Sequence, residues 1–594
     1  MGYQQSPGVV WSEIDLTTVV PSASTTVGAI SGDFEWGPVE YVQLVSSEID
    51  LVSKYGIPTN NVAYTWWTAA NFLAYANSLR VVRTVGAGAT NASTGNSAPL
   101  IKNRDIWELG YSTLTDLAVG NNYYGFVSAK YPGSYINGLR VSAFAANVGS
   151  GSSTWTSWPY ASYFPLPPGT SKYASDRGCA NDEFHLVVVD TTGQFSGGVA
   201  NTVIEKFTGL SKARDAKSFD GSSNYWVNVI ADQSKFLWPT ATMPSNSTGY
   251  YEVGYNGAYV NWGNTTTSKV DFSANLLSYA GVGTYSYLLA NGAQSLSSTA
   301  NLQTGYTYFS DADTYDISLI MMGGASNTVT QWVVQNIAEP GGSLGRGDCV
   351  VFCSPAYGDT INQPGNEVTN AVATRNGIGS SSYAFMDSAW KRQFDKYSNI
   401  YRWVPLNGDI AGLCAYTDTS RDPWYSPAGL NRGQIKNVTK LSWLPSKAER
   451  DVLYNNNINP VLQFAGQGTV LYGDKTLQVK PSAFDRINVR RLFIVLEKSI
   501  SKAAKYSLFE FNDAFTRSQF VALVDPFLRD VKGRRGIYDY KIVCDETNNT
   551  SQVIDSNQFV GDIYIKPARS INFIQLNFVA VRSGVAFSEV VGKF

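Results

Sequence analysis

An α+β protein of several domains, rich in sheet, is what this sequence predicts, and three observations predict it. At 594 residues the chain is too long for one hydrophobic core, so roughly three or four domains follow. With 44% apolar and only 15% charged residues it has the composition of a folding chain. Its 13% aromatic content, with 36 Tyr, 15 Trp and 53 Gly, favours strands and turns over helical bundles.

The first element is an N-terminal strand. After Ser6-Pro-Gly-Val9 the chain alternates, with Val10, Ile14, Leu16 and Val20 on one side and Trp11, Glu13, Asp15 and Thr17 on the other. Pro7, Gly8 and Pro21 punctuate its ends and no hairpin partner lies nearby, so it must pair elsewhere. Ala29 to Pro38 reads as a strand running into a Gly-Pro turn. Ser46 is read as the cap of a helix over Glu48–Tyr55, stopped at Gly56 with Pro58 beyond. Ala69 to Ser78 reads as a second helix that delivers the chain into a strand over Leu79 to Val85, followed by a loop of small residues from Gly86 to Ala98.

From there to about Gly305 the character changes. Between Arg140 and Lys172 there is no charged residue, and a second tract, Tyr250 to Tyr308, repeats Tyr, Asn and Gly between short alternating strands. These segments read as insertions that face outward. An aromatic surface of this kind suits a glycan or protein partner, or simply packs a small β domain.

After Tyr315 a strand (Asp316 to Met322), a helix (Thr328 to Ile337) and a strand (Asp348 to Cys353) make a βαβ unit and so a parallel pair. Lys391 to Tyr397 carries mixed charge beside another helix, and Asp422 to Pro427 is a turn-rich link. Ser446 and Glu449 form a capping box for a short helix that reaches Tyr454.

A glycine-punctuated stretch, Phe464-Ala-Gly-Gln-Gly468 with Tyr472-Gly-Asp-Lys-Thr476, leads to a helix expected over residues 486–511. Val489, Phe493, Leu496, Ile500, Ala503, Ala504 and Phe511 recur at steps of mostly three and four and mark its buried stripe. Arg491, Lys498, Lys502 and Lys505 fall together on the opposite face. A solvated surface is the ordinary meaning of such a charge stripe, but its surroundings are also basic. From Lys440 onward there are 21 Lys and Arg against 15 Asp and Glu, whereas the remainder carries 24 against 32. One basic end on an acidic body suits a chain that faces two different surroundings. Ile574, Leu576 and Phe578 then alternate with Gln575 and Asn577 in a half-buried strand, and the last residues form a further strand or an arm.

Little chemistry of catalysis is legible. The single histidine, His185, sits in an apolar strand and reads as a core residue with one hydrogen bond, so no histidine-based triad can be built. Cys349 and Cys353 have no second pair at metal-ligand spacing, and the five cysteines are odd in number and scattered, which speaks against a disulfide framework and against zinc. Gly466-Gln-Gly468 lacks the third glycine of a dinucleotide fingerprint, Leu471 standing there, and no phosphate-binding GxxxxGK[ST] occurs. Asp311, Asp313 and Asp316 begin like a calcium loop, but Met322 stands where its glutamate belongs. Arg346-Gly-Asp348 is a short turn. The start carries no secretory pattern and no apolar run reaches membrane-spanning length, so the expectation is a soluble, non-enzymatic protein without cofactor or metal, made in a cytoplasm.

The C-terminal block resembles the tail sheath proteins of contractile-tailed bacteriophages. The resemblance lies in FxGQG, YGDKT, Phe484 to Phe493, Phe509 to Arg517, Asp525-Pro-Phe-Leu-Arg529 and Ile563 to Phe573, together with the opening SPGV pattern. It covers about the first ninety and last hundred and fifty residues. It implies a structural subunit that polymerises around a tail tube in stacked hexameric rings and contracts to drive the tube through the host envelope, with energy stored in the extended lattice. It further implies an arm, 1–20, whose Val10, Ile14, Leu16 and Val20 complete a neighbour's sheet, and a C-terminal arm, 583–594, with Val585, Phe587 and Val591. Between the arms the expected division is a scaffold of 21–95 and 305–445, insertions of 96–180 and 181–304, and a tube-facing domain of 446–582 using Arg491, Lys498, Lys502 and Lys505. Tube, baseplate and tail-terminator proteins are the implied partners, without nucleic acid or membrane insertion, in a virion tail assembled in the host cytoplasm. The sheath of a related contractile injection system is the near alternative. A surface- or glycan-binding tail protein is the alternative of another class, though no paired carboxylates of a glycosidase are evident.

Overall fold

The computed structural model describes residues 25–95, 97–110, 125, 127–146, 153–177, 181–213, 215–240 and 284–572. These fall into two compact units, one of residues 25–420 and 427–481 and one of 421–426 and 482–572. The strand expected at 10–20, residues Val585, Phe587 and Val591, the strand at 574–578, Cys179 and most of the second aromatic tract lie outside the described residues.

In the larger unit, β1 (Gly28–Asp33), β2 (Val42–Val45) and β3 (Leu79–Thr84) lie together, β1 parallel and β2 antiparallel to β3. Helix α1 (Glu48–Tyr55) has the expected span, but its cap is Ser47, whose hydroxyl accepts from Asp50 N at 3.2 Å. Ser46 instead donates its backbone N–H to the Asp50 carboxylate at 3.0 Å. Helix α2 (Ala63–Leu73) starts six residues before the expected one and ends before Ser78. It is buried nearly all round, with Trp66 and Trp67 both inside, so the one-sided periodicity that marks a surface helix is absent. Arg83 on β3 is buried, and its guanidinium donates to Phe34 O and Gly37 O at 2.8 Å and to Pro132 O at 2.7 Å. Those carbonyls replace its water and tie the Gly37 turn to the inserted region.

The inserted region is one β domain. Strands β4 (Leu139–Ala145), β5 (Glu183–Asp190), β6 (Thr202–Ser211) and β7 (Thr284–Leu288) form an antiparallel sheet in the order β6-β5-β4-β7, with α3 (Trp226–Gln233) packed into the same core. One cluster of buried residues runs from Trp36 and Ala92 through Trp158, Val187 and Trp226 to Leu289. A boundary at 180/181 would cut this sheet between β4 and β5, so the two expected insertions are a single folded body. The charge-free tract is explained by packing: Phe164 stacks on Trp158 and His185, and Trp155 and Phe144 close the cluster through tilted and edge contacts.

The scaffold resumes with β8 (Leu319–Met321), α4 (Asn327–Val333), β9 (Val350–Cys353), α5 (Glu367–Ile378) and β10 (Ala384–Met386). Strands β8 and β9 pair in parallel as the βαβ reading requires, and the sheet order is β10-β9-β8-β1-β3-β2. Its central strands are buried along their length, which is why they read as apolar runs without alternation. Lys391 to Tyr397 lies on β11 (Trp390–Asp395) and its turn into β12 (Ile400–Pro405), where Asp395 accepts from Tyr397 N at 2.9 Å and from Arg402 Nε at 2.6 Å. The helix beside them is α6 (Asn407–Ser420), whose Gly408 permits close approach to α2: a Cβ there would lie 2.3 Å from Thr68 O.

Helix α7 (Lys447–Asn455) carries the expected capping box between Ser446 and Glu449. A short strand β13 (Lys440–Leu441) pairs antiparallel with β11, and the FxGQG segment is the tip of a hairpin, β14 (Val461–Phe464) and β15 (Gly468–Leu471), in which Gly466 and Gly468 have φ of +76° and +78°. These elements belong to the larger unit. The C-terminal unit therefore begins near residue 482 rather than at 446, and it takes residues 421–426 of the turn-rich link with it.

Candidate assembly surface

The C-terminal unit is built on two helices and a hairpin: α8 (Ile487–Ala504), α9 (Ala514–Gly533), β16 (Ile537–Val543) and β17 (Asp562–Pro567). Leu492, Leu496, Ile500 and Ala504 of α8, spaced by four, meet Phe520, Val524, Leu528 and Val531 of α9. Inward-facing Tyr540, Ile542, Ile563 and Ile565 of the hairpin join the same core. Trp424 fills it from the link: its indole donates to Arg534 O at 3.2 Å, its carbonyl accepts from Asn488 Nδ2 at 3.4 Å, and Asp422 pairs with Arg534. A side chain of this size contributes about 2–3 kcal/mol by its burial alone, so the link anchors the unit.

The structure corrects the helix expected at 486–511. It ends at Ala504, and Phe511 lies beyond it, 85% exposed. Phe493 turns aside to an edge contact with Phe484 at 4.9 Å. The four cations do not share an exposed face. Arg491 is 3% and Lys498 8% exposed, Lys502 is half-buried, and only Lys505 is exposed. Val489, Ile494 and Val495 are buried as well, so α8 is enclosed on more sides than a single stripe implies.

Helix α9 was not among the expected elements. Its sign was available: Asp513 accepts from Thr516 N at 2.8 Å as an N-cap, which holds its carboxyl below the usual range, and apolar residues follow at helical spacing. Pro526 inside the helix masked it. Between α8 and α9 a loop exposes Tyr506, Leu508, Phe509 and Phe511, with Phe515 on the first turn of α9. Among the described residues β16 and β17 pair only with each other, so each presents an outer edge.

The positions singled out for chemistry resolve as packing. His185 is buried and makes two hydrogen bonds rather than one: Gly209 N donates to Nδ1 and Nε2 lies against Leu166 O, both at 2.9 Å. Arg346 and Asp348 pair with each other at 2.7 Å, and Arg346 also donates to Phe309 O and Tyr315 O, so the turn is folded inward. Asp311 accepts from Asp313 N and Thr314 Oγ1, and Met322 is buried. Cys349 and Cys353 are buried free thiols, and burial pushes Cys353 well up. Among the described residues no group of three or more His, Cys, Asp or Glu is placed to hold a metal, and no helix is long and apolar enough to cross a membrane.

Residues 298–477 match the model of the phage tail sheath protein central domain, and residues 479–580 that of the phage tail sheath C-terminal domain. The chain is 34% identical to the tail sheath protein of Vibrio phage KVP40 and 33% identical to that of Enterobacteria phage T4, over 99% of this chain and 99% of each relative. Its fold is similar to that of the crystal structure of a sheath tail protein from Listeria innocua, with a TM-score of 0.50 at 10% identity over 93% of both chains.

Proposed function

The chain belongs to the phage tail sheath family and is a structural subunit of a contractile tail sheath, and from that premise we propose how its ends and its C-terminal unit make the polymer. The arm of residues 1–20 and the C-terminal arm of residues 583–594 add strands to the β16–β17 sheets of adjoining copies. The observation that carries this reading is the sheet itself: two strands, closed on one face by Tyr540, Ile542, Ile563 and Ile565, with both outer edges open among the described residues. A two-stranded sheet is marginal alone and an edge is a template for another strand. The alternating Val10, Ile14, Leu16 and Val20 suit such an edge, as do Val585, Phe587 and Val591 at the other end.

Strand exchange keeps copies joined while their bodies move. Contraction then needs no chemistry in the subunit: the extended lattice of stacked hexameric rings holds the energy as a packing that collapses into a tighter one. Around the tail tube, contacts through exposed charge, worth about a kcal/mol or less each, release without a large barrier. Lys502 and Lys505 retain surface for that role. Arg491 and Lys498 are buried in the unit and present no surface for it. Tube, baseplate and tail terminator are the other partners in the virion tail, assembled in the host cytoplasm.

Deletion of residues 1–20 tests the proposal. A folded monomer that forms no tubular polymer in electron micrographs is the expected result, and polymers of normal length would refute strand donation.

A further inference from the structure

The loop that joins α8 to α9 is held firmly and turned outward. Leu508 N donates to Lys505 O at 3.3 Å, Glu510 N to Ser507 O at 3.4 Å and Asp513 N to Phe511 O at 3.0 Å. Asn512 Nδ2 donates to Gln558 O at 2.7 Å, and its Oδ1 accepts from Arg517 Nη1 at 3.0 Å. On this frame Phe509 adopts a φ of +70°, a region that disfavours any side chain with a Cβ, and it is fully exposed. Nothing it packs against within the unit explains that conformation, and backbone strain of this kind gathers where a ligand or partner is met.

We propose that Tyr506, Leu508, Phe509, Phe511 and Phe515 form a preformed subunit contact that takes a second copy of this chain, with Phe509 and Phe511 as its anchors. The inference rests on the sheath reading and names a second joint in the polymer besides strand exchange. The area fits. Aromatic side chains bury roughly 150–250 Å² each, so five large apolar groups that are mostly exposed offer roughly 800 Å², which is about what one partner contributes to a stable interface. Interface anchors are rigid aromatics at the centre of such a patch. A second copy fits better than the tube, because a sheath that shortens must let the tube go, whereas apolar anchors of this size suit contacts held while copies are joined.

The test is self-polymerisation of the purified full-length chain, compared for wild type, Phe509→Ser/Phe511→Ser and the deletion of residues 1–20. A milder variant, Phe511→Ala, covers the case in which the double substitution unfolds; its own melting is checked by circular dichroism. The expected result is unchanged melting with at least a tenfold rise in the concentration needed to form polymer. Polymerisation of the Phe variants at the wild-type concentration overturns the proposal, as does normal self-polymerisation combined with failure to assemble on preformed tubes, which would assign the loop to the tube. If the Phe variants polymerise and the deletion does not, the loop contact falls and strand exchange stands. The reverse pattern leaves the loop contact standing and removes strand exchange.

Discussion

Lys391 and Asp409 meet at 2.9 Å, and neither side chain reaches solvent. Lys391 lies on β11 and Asp409 in the first turn of α6; Tyr75 Oη donates to Asp409 Oδ1 at 3.2 Å, and Lys391 Nζ also donates to Lys436 O at 3.0 Å. Burial pulls the lysine down and pushes the carboxyl up, each against the attraction of the other. Removing one partner strands the other charge, so Lys391→Met is expected to destabilise the larger unit by about 3–5 kcal/mol. Lys391→Met/Asp409→Leu removes both charges and is expected to recover most of that loss in a denaturation curve. Equal loss in the single and double variants would show that packing, not charge, holds the joint.

Asp387 is a second buried carboxyl, and its charge is disfavoured outright. Burial raises it to about 8, opposed by the Ser354 hydroxyl at 2.6 Å and Ala389 N at 3.2 Å. An unfolded aspartate ionises near ~3.9, so between about pH 4 and pH 8 the unfolded chain has lost a proton that the folded chain keeps. Stability contributed by the protonated group is therefore full below that window and is lost as pH rises through it, with a limiting slope of about 1.4 kcal/mol per pH unit. Asp387→Asn is expected to flatten this part of the profile, measured as melting temperature from pH 5 to pH 8. A variant whose profile keeps the wild-type slope would exclude Asp387 as its source.

His185 offers a clean probe because it is the only histidine in the chain. With Gly209 N donating to Nδ1, the ring proton belongs on Nε2 toward Leu166 O, so the neutral tautomer is built in. Burial lowers its pKa. The expected outcome is one imidazole resonance that titrates below ~6.5 and a stability that declines as pH falls under that value, because the unfolded chain then binds the proton first. A resonance titrating at or above the free value would show that the ring is solvated.

Much of the scaffold was legible because its signals are local. Glu48–Tyr55 ends at a glycine, the Ser446–Glu449 box starts α7, and the β8–α4–β9 unit alternates strand with helix. What stayed hidden was governed by burial on all sides. Helices α2 and α6 show no polar face, so no period marks their limits. In the C-terminal unit the stripe Leu496, Ile500 and Ala504 is legible, but the cover over the opposite face of α8 is not, because sequence spacing gives direction and not cover. Pro526 hides α9, and with it the division of the segment Phe509 to Arg517 into a loop up to Asp513 and the first turn of a helix from Ala514.

The burial of Lys498 separates two effects that a charge stripe would merge. Lys505 is exposed and lies past the end of α8, whereas Lys498 is enclosed at 8% exposure. Lys505→Glu is therefore expected to leave the melting temperature unchanged and to weaken assembly on the tail tube, with a larger effect at low salt, where exposed charges are least screened. Lys498→Glu is expected to act first on folding, because it places an opposite charge in a site arranged around a cation, at a cost of about 3–5 kcal/mol. Melting curves of the purified variants, beside sedimentation with and without preformed tubes at two salt concentrations, distinguish them. Equal melting with equal loss of tube binding would restore the single basic face that the sequence suggests, while a Lys505→Glu variant that assembles normally would remove the tube contact from this end of the helix.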